Sequence, residues 1–467
     1  MTPGPWSWIL IVTLAVHLLV GGGTAWAEGL WDVYQLARER DAQFRAAEAA
    51  LDIARQARPK AMASMLPSVV ASGSSGLNRF DDKNPVIDTK TGLPTSGHHY
   101  DSLKYGLYFS QPVFNLQSWA GLYGADQRLQ EAEAVFQSSR AEMMVRVLER
   151  YLKFLGAEEK LHWVRAERLA LAQALARAQR AAELGLVSPL AEQRALAASD
   201  LAEADGIAAE NQMENAREEL RELTGQPFKR LARLRTDLEL APPSPNELEY
   251  WQRLALDLNF MIQAKGHAQE AARLEVYRQM AGHLPTVNFT ASHYYENSGG
   301  GRVPGEDVMS TVMLELRVPI FEGGAATAQT REARAAHDKA RADGESQRRQ
   351  VVRQVGTAFR GVNESARRVK ALNQALKSNL AAVAGTLREM ELGSGTIVEF
   401  LEALRDLYRV RRDHTDARHN MLLQRTRLLE ISGRLDEENL AALGRSFQER
   451  DLPELMASVP TAHVPPE

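Results

Sequence analysis

The chain contains no cysteine among its 467 residues. This absence excludes a disulfide framework, thiol chemistry and a lipid anchor attached through an N-terminal cysteine. Gly-rich phosphate loops, zinc-ligand spacings and nucleophile motifs are also missing, so an enzyme is the least favoured class and no cofactor or metal is expected. The formal net charge of −4 gives no indication of a nucleic-acid partner.

Long apolar runs are scarce as well. Residues 9–20 form one, and Ala25-Trp26-Ala27 follows it as a small-residue cleavage site, which together predict a signal peptide over residues 1–27. Residues 1–8 lack the Lys or Arg that such a peptide usually carries, and a misassigned start codon is one explanation. Beyond the signal peptide no stretch approaches about 18 apolar residues, so any membrane-spanning part is predicted not to be helical.

The two halves of the sequence resemble one another. The segment RPKAMASMLPSV at 58–69 returns as RQMAGHLPTV at 278–287, and the turn sequence ELG at 183–185 returns at 391–393. A duplication of this length indicates two copies of one structural unit. The predicted organisation is a first repeat at 28–240, a linker at 241–245, a second repeat at 246–450 and a disordered tail at 451–467.

Each repeat combines two strands with a long helical hairpin. Alternation of apolar and polar residues predicts strands at about 67–80 and 103–114, and again at about 285–295 and 311–321. Each strand is about long enough to cross a bilayer at a tilt. Two proline-free helical stretches, each followed by a turn and a returning helix, predict the hairpins 116–223 and 325–431, with lengths typical of coiled coils.

Four amphipathic strands cannot close a barrel alone, and an open sheet edge cannot face lipid. Symmetric association is the simplest source of further strands. Three chains would supply twelve strands, an even number within the range of outer-membrane barrels. A soluble sandwich core that uses the same alternation is the alternative.

Several motifs, in their order along the chain, carry a family resemblance. They are HLP at 283–285, PIFEGG at 319–324, TIVEFLEA at 396–403, and the paired helix ends LTG at 223–225 and ISG at 431–433. From residue 31 to about residue 443 the chain resembles the TolC-type outer-membrane efflux proteins, in their type I secretion branch. The resemblance implies a membrane α+β fold: a homotrimeric, 12-stranded transmembrane β-barrel with four strands per chain, continuous with a long α-helical coiled-coil barrel in the periplasm.

The function that the resemblance implies is passive conduction across the periplasm and outer membrane of a Gram-negative cell. The implied partners are a periplasmic adaptor (membrane fusion) protein, an inner-membrane ABC or proton-driven transporter, and outer-membrane lipid. Type I protein secretion is favoured by the TolC-like turns and the absent lipidation cysteine. Drug efflux is the alternative, and a pore-less periplasmic coiled-coil scaffold is a third reading.

The same resemblance assigns roles to individual residues. Glu399 and Glu402, spaced i, i+3, match acidic positions that line the pore entrance, where crowded carboxylates would raise one another's pKa and attract cations. A solvated helix face is the alternative. Pro112 and Pro319 would mark the transition from barrel to helix, where a missing ladder donor is tolerable. The periplasmic tip turns would be Gly185, Leu186 and Val187 in the first repeat and Gly393, Ser394 and Gly395 in the second.

The lock that closes the entrance in some family members has no counterpart here. Where those members place an Arg, this chain has Gly395, and the position of its acidic partner is Ala191. Glu192 stands beside Ala191. The inter-hairpin ion pair is therefore expected to be absent, closure to rest on other contacts, and the resting gate to be looser than in lock-bearing relatives. The Arg-rich run at 409–418 is interpreted as a solvated helix face, with docking of the adaptor as the alternative.

Overall fold

A computed structural model describes residues 27–80, 87, 98–185, 187–228, 230–235, 238, 241–299, 305–392 and 394–448. Nearly all of the predicted signal peptide, the whole predicted tail, Leu186 and Gly393 lie outside these residues. The chain divides into two compact units: a strand unit, Glu48–Phe136 and Phe260–Arg348, and a hairpin unit that holds the remainder. Each unit takes segments from both predicted repeats, so the repeat boundaries stay a prediction.

The described strands are six, numbered in chain order. They are β1 (Ser68–Phe80), β2 (His98–Phe114), β3 (Arg233–Leu234), β4 (Thr286–Ser298), β5 (Gly305–Arg317) and β6 (Phe447–Gln448). In the strand unit the four long strands form one antiparallel sheet in the order β1-β2-β4-β5. Pairing of β2 with β4 joins the two strand pairs, and β1 and β5 are left as edges of this sheet.

The register places most of the large apolar residues of the four strands on one face. Val69 pairs with Phe109, which pairs with Ala291, and Ala291 pairs with Val312. Because side chains alternate across a strand, every second residue from these positions shares their face. Tyr105 stacks on Tyr295 there, with ring centroids 4.9 Å apart. This apolar sheet face includes Val69, Leu77, Leu103, Tyr105, Leu107, Phe109, Val287, Phe289, Val308, Val312, Leu314 and Leu316.

Much of the apolar sheet face is uncovered in the single chain. Leu77 is 85% exposed, Val312 72% and Leu314 67%. The opposite face carries polar contacts: Lys104 Nζ lies 3.0 Å from Glu296 Oε2, and Asn78 Nδ2 donates to Ser102 Oγ at 2.8 Å. A sheet with a polar face and a solvent-exposed apolar face of this size needs an apolar environment or a partner surface.

Ten α-helices are described. They are α1 (Leu30–Arg40), α2 (Ala42–Arg55), α3 (Ala57–Ala63), α4 (Leu116–Glu183), α5 (Pro189–Thr224), α6 (Leu248–Leu258), α7 (Phe260–Met280), α8 (Ala325–Glu391), α9 (Ile397–Ile431) and α10 (Glu437–Gly444). α4 and α8 contain no proline and are rich in Ala, Glu and Arg, all strong helix formers. None of the described helices has both the length and the apolar composition that a bilayer crossing requires.

The hairpin unit has a core to which four helices contribute. Trp163 and Leu171 of α4, Ala195 of α5, Val383 of α8 and Leu404 of α9 belong to one buried cluster. On α9 the buried apolar residues recur at helical spacing, which gives one apolar stripe. Ala195, Ala202 and Ala209 recur every seven residues on α5, and their small side chains allow close helix approach. The core therefore holds the two helical hairpins together within this unit.

Elsewhere in the hairpin unit, short elements are tied to α4. Tyr151 Oη donates to the Ala232 carbonyl at 2.6 Å, beside the two-residue pairing of β3 with β6. Glu437 at the start of α10 accepts hydrogen bonds from Tyr34 at 2.8 Å and Arg140 at 2.6 Å. Strands of two residues are too short to show alternation, which is why the sequence did not predict β3 and β6.

The long strands extend into segments whose composition indicated loops. β2 begins at His98 rather than near residue 103, and β5 spans Gly305–Arg317 rather than about 311–321. The β4–β5 ladder sets the latter limits, since it runs from Ser298 opposite Gly305 to Thr286 opposite Arg317. Backbone pairing includes polar residues that hydrophobic alternation does not reveal.

Candidate functional site

The second helical turn, between α8 and α9, is held by one carbonyl. The backbone N–H groups of Ser394 and Gly395 both donate to the Glu389 carbonyl at 3.0 Å, and Ser394 Oγ lies 3.2 Å from the same oxygen. These bonds satisfy a carbonyl that the helix end leaves without its usual partner. The turn therefore folds back on the last turn of α8.

Gly395 is packed too closely to carry a side chain in this turn. A Cβ atom at this position would lie 2.9 Å from Glu389 Cβ and 3.1 Å from the Met390 nitrogen. Ala191, the position opposite it in the expected lock, is partly buried against the hairpin core. Neither residue has a charged side chain, so these two positions cannot form an ion pair with each other.

The first helical turn, between α4 and α5, is built differently. Gly185 donates its N–H to the Ala182 carbonyl at 2.9 Å. Ser188 caps α5 by accepting from the Ala191 N–H, and Pro189 occupies the first helical position, which needs no donor. Of the six predicted tip residues, Gly185, Val187, Ser394 and Gly395 are described, all in the hairpin unit.

Glu399 takes part in a capping box at the start of α9. Its carboxylate accepts the Thr396 N–H at 2.9 Å, and its own N–H donates to Thr396 Oγ1 at 3.3 Å. These hydrogen bonds from Thr396 lower the pKa of Glu399 from its ordinary value. Within one chain the direction is thus opposite to the one expected from crowded carboxylates. That expectation needs three chains and stays a prediction.

Glu402 faces a different environment from Glu399. It lines a cavity of about 380 Å³ between α9 and the first hairpin, here called the tip groove. The i, i+3 spacing puts the two carboxylates on one side of α9, but capping draws Glu399 back toward Thr396. The other charged residues of the tip groove are Glu167 of α4, Asp205 of α5, and Arg405, Asp406, Arg409 and Arg412 of α9.

An ion pair crosses the tip groove and joins the two hairpins. Arg412 of α9 lies 2.6 Å from the Glu167 carboxylate of α4, and the two side chains are 24% and 9% exposed. A charge-assisted hydrogen bond is stronger than a neutral one, and a partly buried pair is screened less by salt than a surface pair. The hairpins therefore do share an ion pair, at positions other than those of the expected lock.

The Arg-rich run at 409–418 is only partly solvated: Arg409 is exposed, but the interpretation as a solvated face was wrong for Arg411. Arg411 is only 6% exposed. Its guanidinium lies 4.6 Å from the Trp163 ring centroid and 5.7 Å from that of Tyr408. Burial lowers the pKa of Arg411 and raises that of Tyr408. Cation–π contact with two rings offsets part of the cost of burying this charge.

Some of these features had a sequence signal and others had none. Thr396 followed three residues later by Glu399 is a capping-box pattern, which indicates the cap directly. Glu167 and Arg412 are 245 residues apart, and only folding brings them together. The two predicted transition prolines lie near strand ends: Pro112 at an irregularity late in β2, and Pro319 two residues after β5.

Comparison with known proteins identifies the family. The family described as outer membrane efflux protein matches residues 33–226 and 251–434, which is most of the chain. The chain is 28% identical to the outer membrane protein TolC of Vibrio cholerae over 435 residues, 92% of this chain and 96% of that protein. It is 30% identical to the alkaline protease secretion protein AprF of Pseudomonas aeruginosa, over 94% of this chain and 92% of that protein.

Solved structures show the same fold. The outer membrane channel CmeC of Campylobacter jejuni superposes with a TM-score of 0.72 at 14% identity, over 91% of this chain and 90% of that chain. The family match confirms the resemblance found in the sequence motifs. Members of this family are transport proteins. The chain belongs to the outer membrane efflux protein family, and it is an efflux channel of the Gram-negative outer membrane that extends into the periplasm.

Proposed function

We propose that three copies of this chain form a duct for type I secretion. An inner-membrane ABC transporter and a periplasmic adaptor deliver the substrate, and the duct conducts it passively, without catalysis. The three sheets close a 12-stranded barrel in the outer membrane, and the helices form a coiled-coil wall in the periplasm. Pro112 and Pro319 mark the transition between the two.

The observation that carries this proposal is the sheet of the strand unit. It has four strands, two open edges and an apolar face that is largely exposed. In water the exposed apolar face is unfavourable. In lipid the unpaired backbone N–H and C=O groups of the two edge strands have no hydrogen-bond partners. Joining β1 of one copy to β5 of the next satisfies every edge when the ring closes.

The assembly is tested with the purified full chain in detergent and in planar bilayers. We expect a heat-sensitive species at about three times the mass of one mature chain and a discrete conductance after insertion. A folded monomer, or a trimer that never conducts, would contradict the proposal and favour a pore-less scaffold.

The choice of secretion rests on the turns and on one relative named for alkaline protease secretion. Cross-linking in native cells, followed by mass spectrometry of what copurifies, identifies the inner-membrane partner. An ABC transporter together with an adaptor supports type I secretion. A proton-driven pump in its place assigns the chain to drug efflux.

We further propose that Glu399 and Glu402 of three chains form an acidic ring at the pore entrance. The hydrogen bonds from Thr396 keep Glu399 ionised, which favours cation attraction. The variant Glu399→Gln/Glu402→Gln removes up to six charges and keeps the capping box, because Gln serves at that position. We expect the cation-to-anion permeability ratio to approach one and the half-blocking concentration of a trivalent cation to rise about tenfold.

The matched control for the acidic ring is Glu192→Gln, in the first turn of α5. It removes one acidic charge per chain from the other hairpin, and we expect unchanged selectivity. Single-channel recordings in salt gradients measure both variants. The assignment of the acidic ring is contradicted if the double variant keeps the wild-type selectivity and trivalent-cation block, or if Glu192→Gln changes them equally.

A further inference from the structure

The edge strands of the sheet, β1 and β5, correspond to its inner strands in the predicted repeat. Pro67, before β1, returns as Pro285, before β4, which is an offset of 218 residues. Pro112, in β2, returns as Pro319, after β5, which is an offset of 207 residues. By these offsets β4 is the counterpart of β1, and β5 is the counterpart of β2. A residue pair in one ladder can therefore be converted into a pair in the corresponding ladder.

The offsets convert one observed ladder into another without a slip. The β1–β2 ladder pairs Ser68 with Ser110. Adding 218 to the β1 number and 207 to the β2 number gives residue 286 opposite residue 317. The β4–β5 ladder contains this pair, Thr286 opposite Arg317. Every other pair of the β1–β2 ladder converts in the same way into a pair of the β4–β5 ladder.

The same conversion, applied to the β2–β4 ladder, gives a register for the two open edges. That ladder pairs Tyr105 with Tyr295. Its counterpart is Val312 of β5 opposite Leu77 of β1, and these side chains are 72% and 85% exposed. Both belong to the apolar sheet face, so in this register that face continues from one copy of the chain into the next. A slip by one residue would set apolar against polar side chains.

Side-chain size supports the converted register independently. In the β2–β4 ladder Gly106 lies opposite Tyr294, and the strands are too close there for a Cβ atom on Gly106. The converted pair is Met313 of β5 opposite Gly76 of β1. A glycine again faces a large side chain, although it now lies on the other strand of the pair. Glycine at such a position admits a close backbone approach, and the offsets do not require this match.

We propose that β5 of one copy pairs with β1 of the next copy in the converted register, with Val312 opposite Leu77 of the next copy. This inference rests on the proposed three-copy duct and adds the residue pairs that join its copies. Arg79 is the one charged residue of β1, and its converted partner is Ser310. The register therefore sets no like charges opposite each other, and it pairs the backbone groups of both edges.

The chain has no cysteine, so the variant Leu77→Cys/Val312→Cys tests the register directly. Opposite residues on paired strands have Cα atoms about 4.5–5.5 Å apart, which suits a disulfide. Within one chain β1 and β5 are three strand spacings apart, about 14 Å, which excludes a disulfide. After oxidation of outer-membrane fractions, we expect more than about half of the chains to migrate on denaturing gels as linked dimers and trimers that dithiothreitol separates.

The matched control is Leu77→Cys/Leu316→Cys. It moves one cysteine four residues along the same face of β5, which is about 13 Å. We expect at least about tenfold less linked product than from the first variant. Equal or greater linking in the control means a different register and overturns the proposal.

The native mass in detergent, measured before oxidation, separates failure of the register from failure of the assembly. A trimer of Leu77→Cys/Val312→Cys that stays unlinked overturns the register and leaves the duct standing. A wild-type chain that is monomeric overturns both. If the first variant does not assemble as the wild type does, Ser74→Cys/Glu315→Cys, the converted pair on the polar face, gives the same test with the same two outcomes.

Discussion

Replacing Gly106 with alanine is expected to remove the folded protein from the outer membrane. Gly106 lies in β2 opposite Tyr294 of β4. A Cβ atom there would be 2.5 Å from Tyr294 Cβ, 2.8 Å from the His293 carbonyl oxygen and 2.9 Å from Tyr294 Cα. Two of these three atoms are backbone, so the clash cannot be relieved by moving a flexible side chain.

The position of Gly106 makes the effect large. The β2–β4 pairing joins the two strand pairs, so its register sets how β1 and β2 align with β4 and β5. A one-residue slip would turn the apolar sheet face to the opposite side. We expect the substitution to destabilise the folded sheet by about 3 kcal/mol per chain, and the loss is repeated in each copy of the proposed trimer. Heat-dependent migration and the amount of protein in outer-membrane fractions measure the loss.

Gly73→Ala is the matched control, because it makes the same chemical change in the same sheet. A Cβ atom at Gly73 would meet nothing closer than Tyr105 Cβ at 3.9 Å, which is ordinary contact. We expect wild-type levels or a slight gain, since glycine is unfavourable within a strand. If Gly106→Ala accumulates as well as Gly73→Ala, the close approach of β2 and β4 is not needed for assembly.

Glu167→Gln is expected to weaken the packing of the two hairpins and to raise the resting conductance of the channel. The substitution keeps the side-chain shape and leaves Arg412 without its carboxylate partner at 2.6 Å. Removing one partner of a buried pair costs about 3–5 kcal/mol, and an exposed pair contributes about 0–1 kcal/mol. Because Arg412 is 24% exposed, we expect the free energy of unfolding to fall by about 2 kcal/mol, between these limits.

Two companion variants define the role of this pair. Asp406→Asn breaks the exposed i, i+3 pair with Arg409, 2.7 Å long, on the same helix and in the same groove. We expect the free energy of unfolding to change by less than about 0.5 kcal/mol and the conductance to stay unchanged. Glu167→Gln/Arg412→Gln should recover part of the lost stability, since no unpaired charge is left.

Thermal unfolding and single-channel recording together measure these three variants. The outcome that contradicts an inter-hairpin lock is a Glu167→Gln channel with wild-type resting conductance despite reduced stability. In that case the pair stabilises the hairpin unit without holding the entrance. The structure thus offers the Glu167–Arg412 pair as a test of closure, in place of the lock positions that Gly395 and Ala191 occupy without charge.

The candidate site shows where prediction from sequence works and where it does not. The turns between the long helices were predicted because Gly, Ser and Pro follow two proline-free stretches, and their role as periplasmic tips stays a prediction. Glu399 and Glu402 were paired by their spacing, yet the capping box engages only Glu399. Periodicity gives the side of a helix on which a residue lies, and it does not give the hydrogen bond that its side chain makes.

The sequence by itself determined the long helices, the four amphipathic strands and the family, because these depend on local propensity, on period-2 and helical patterns, and on ordered motifs. Tertiary structure alone decided the β2–β4 register, the burial of Arg411 and the Glu167–Arg412 pair. Each of these joins residues far apart along the chain. Their energies come from contact distance and exclusion of water, quantities that exist only after the helices and strands have packed.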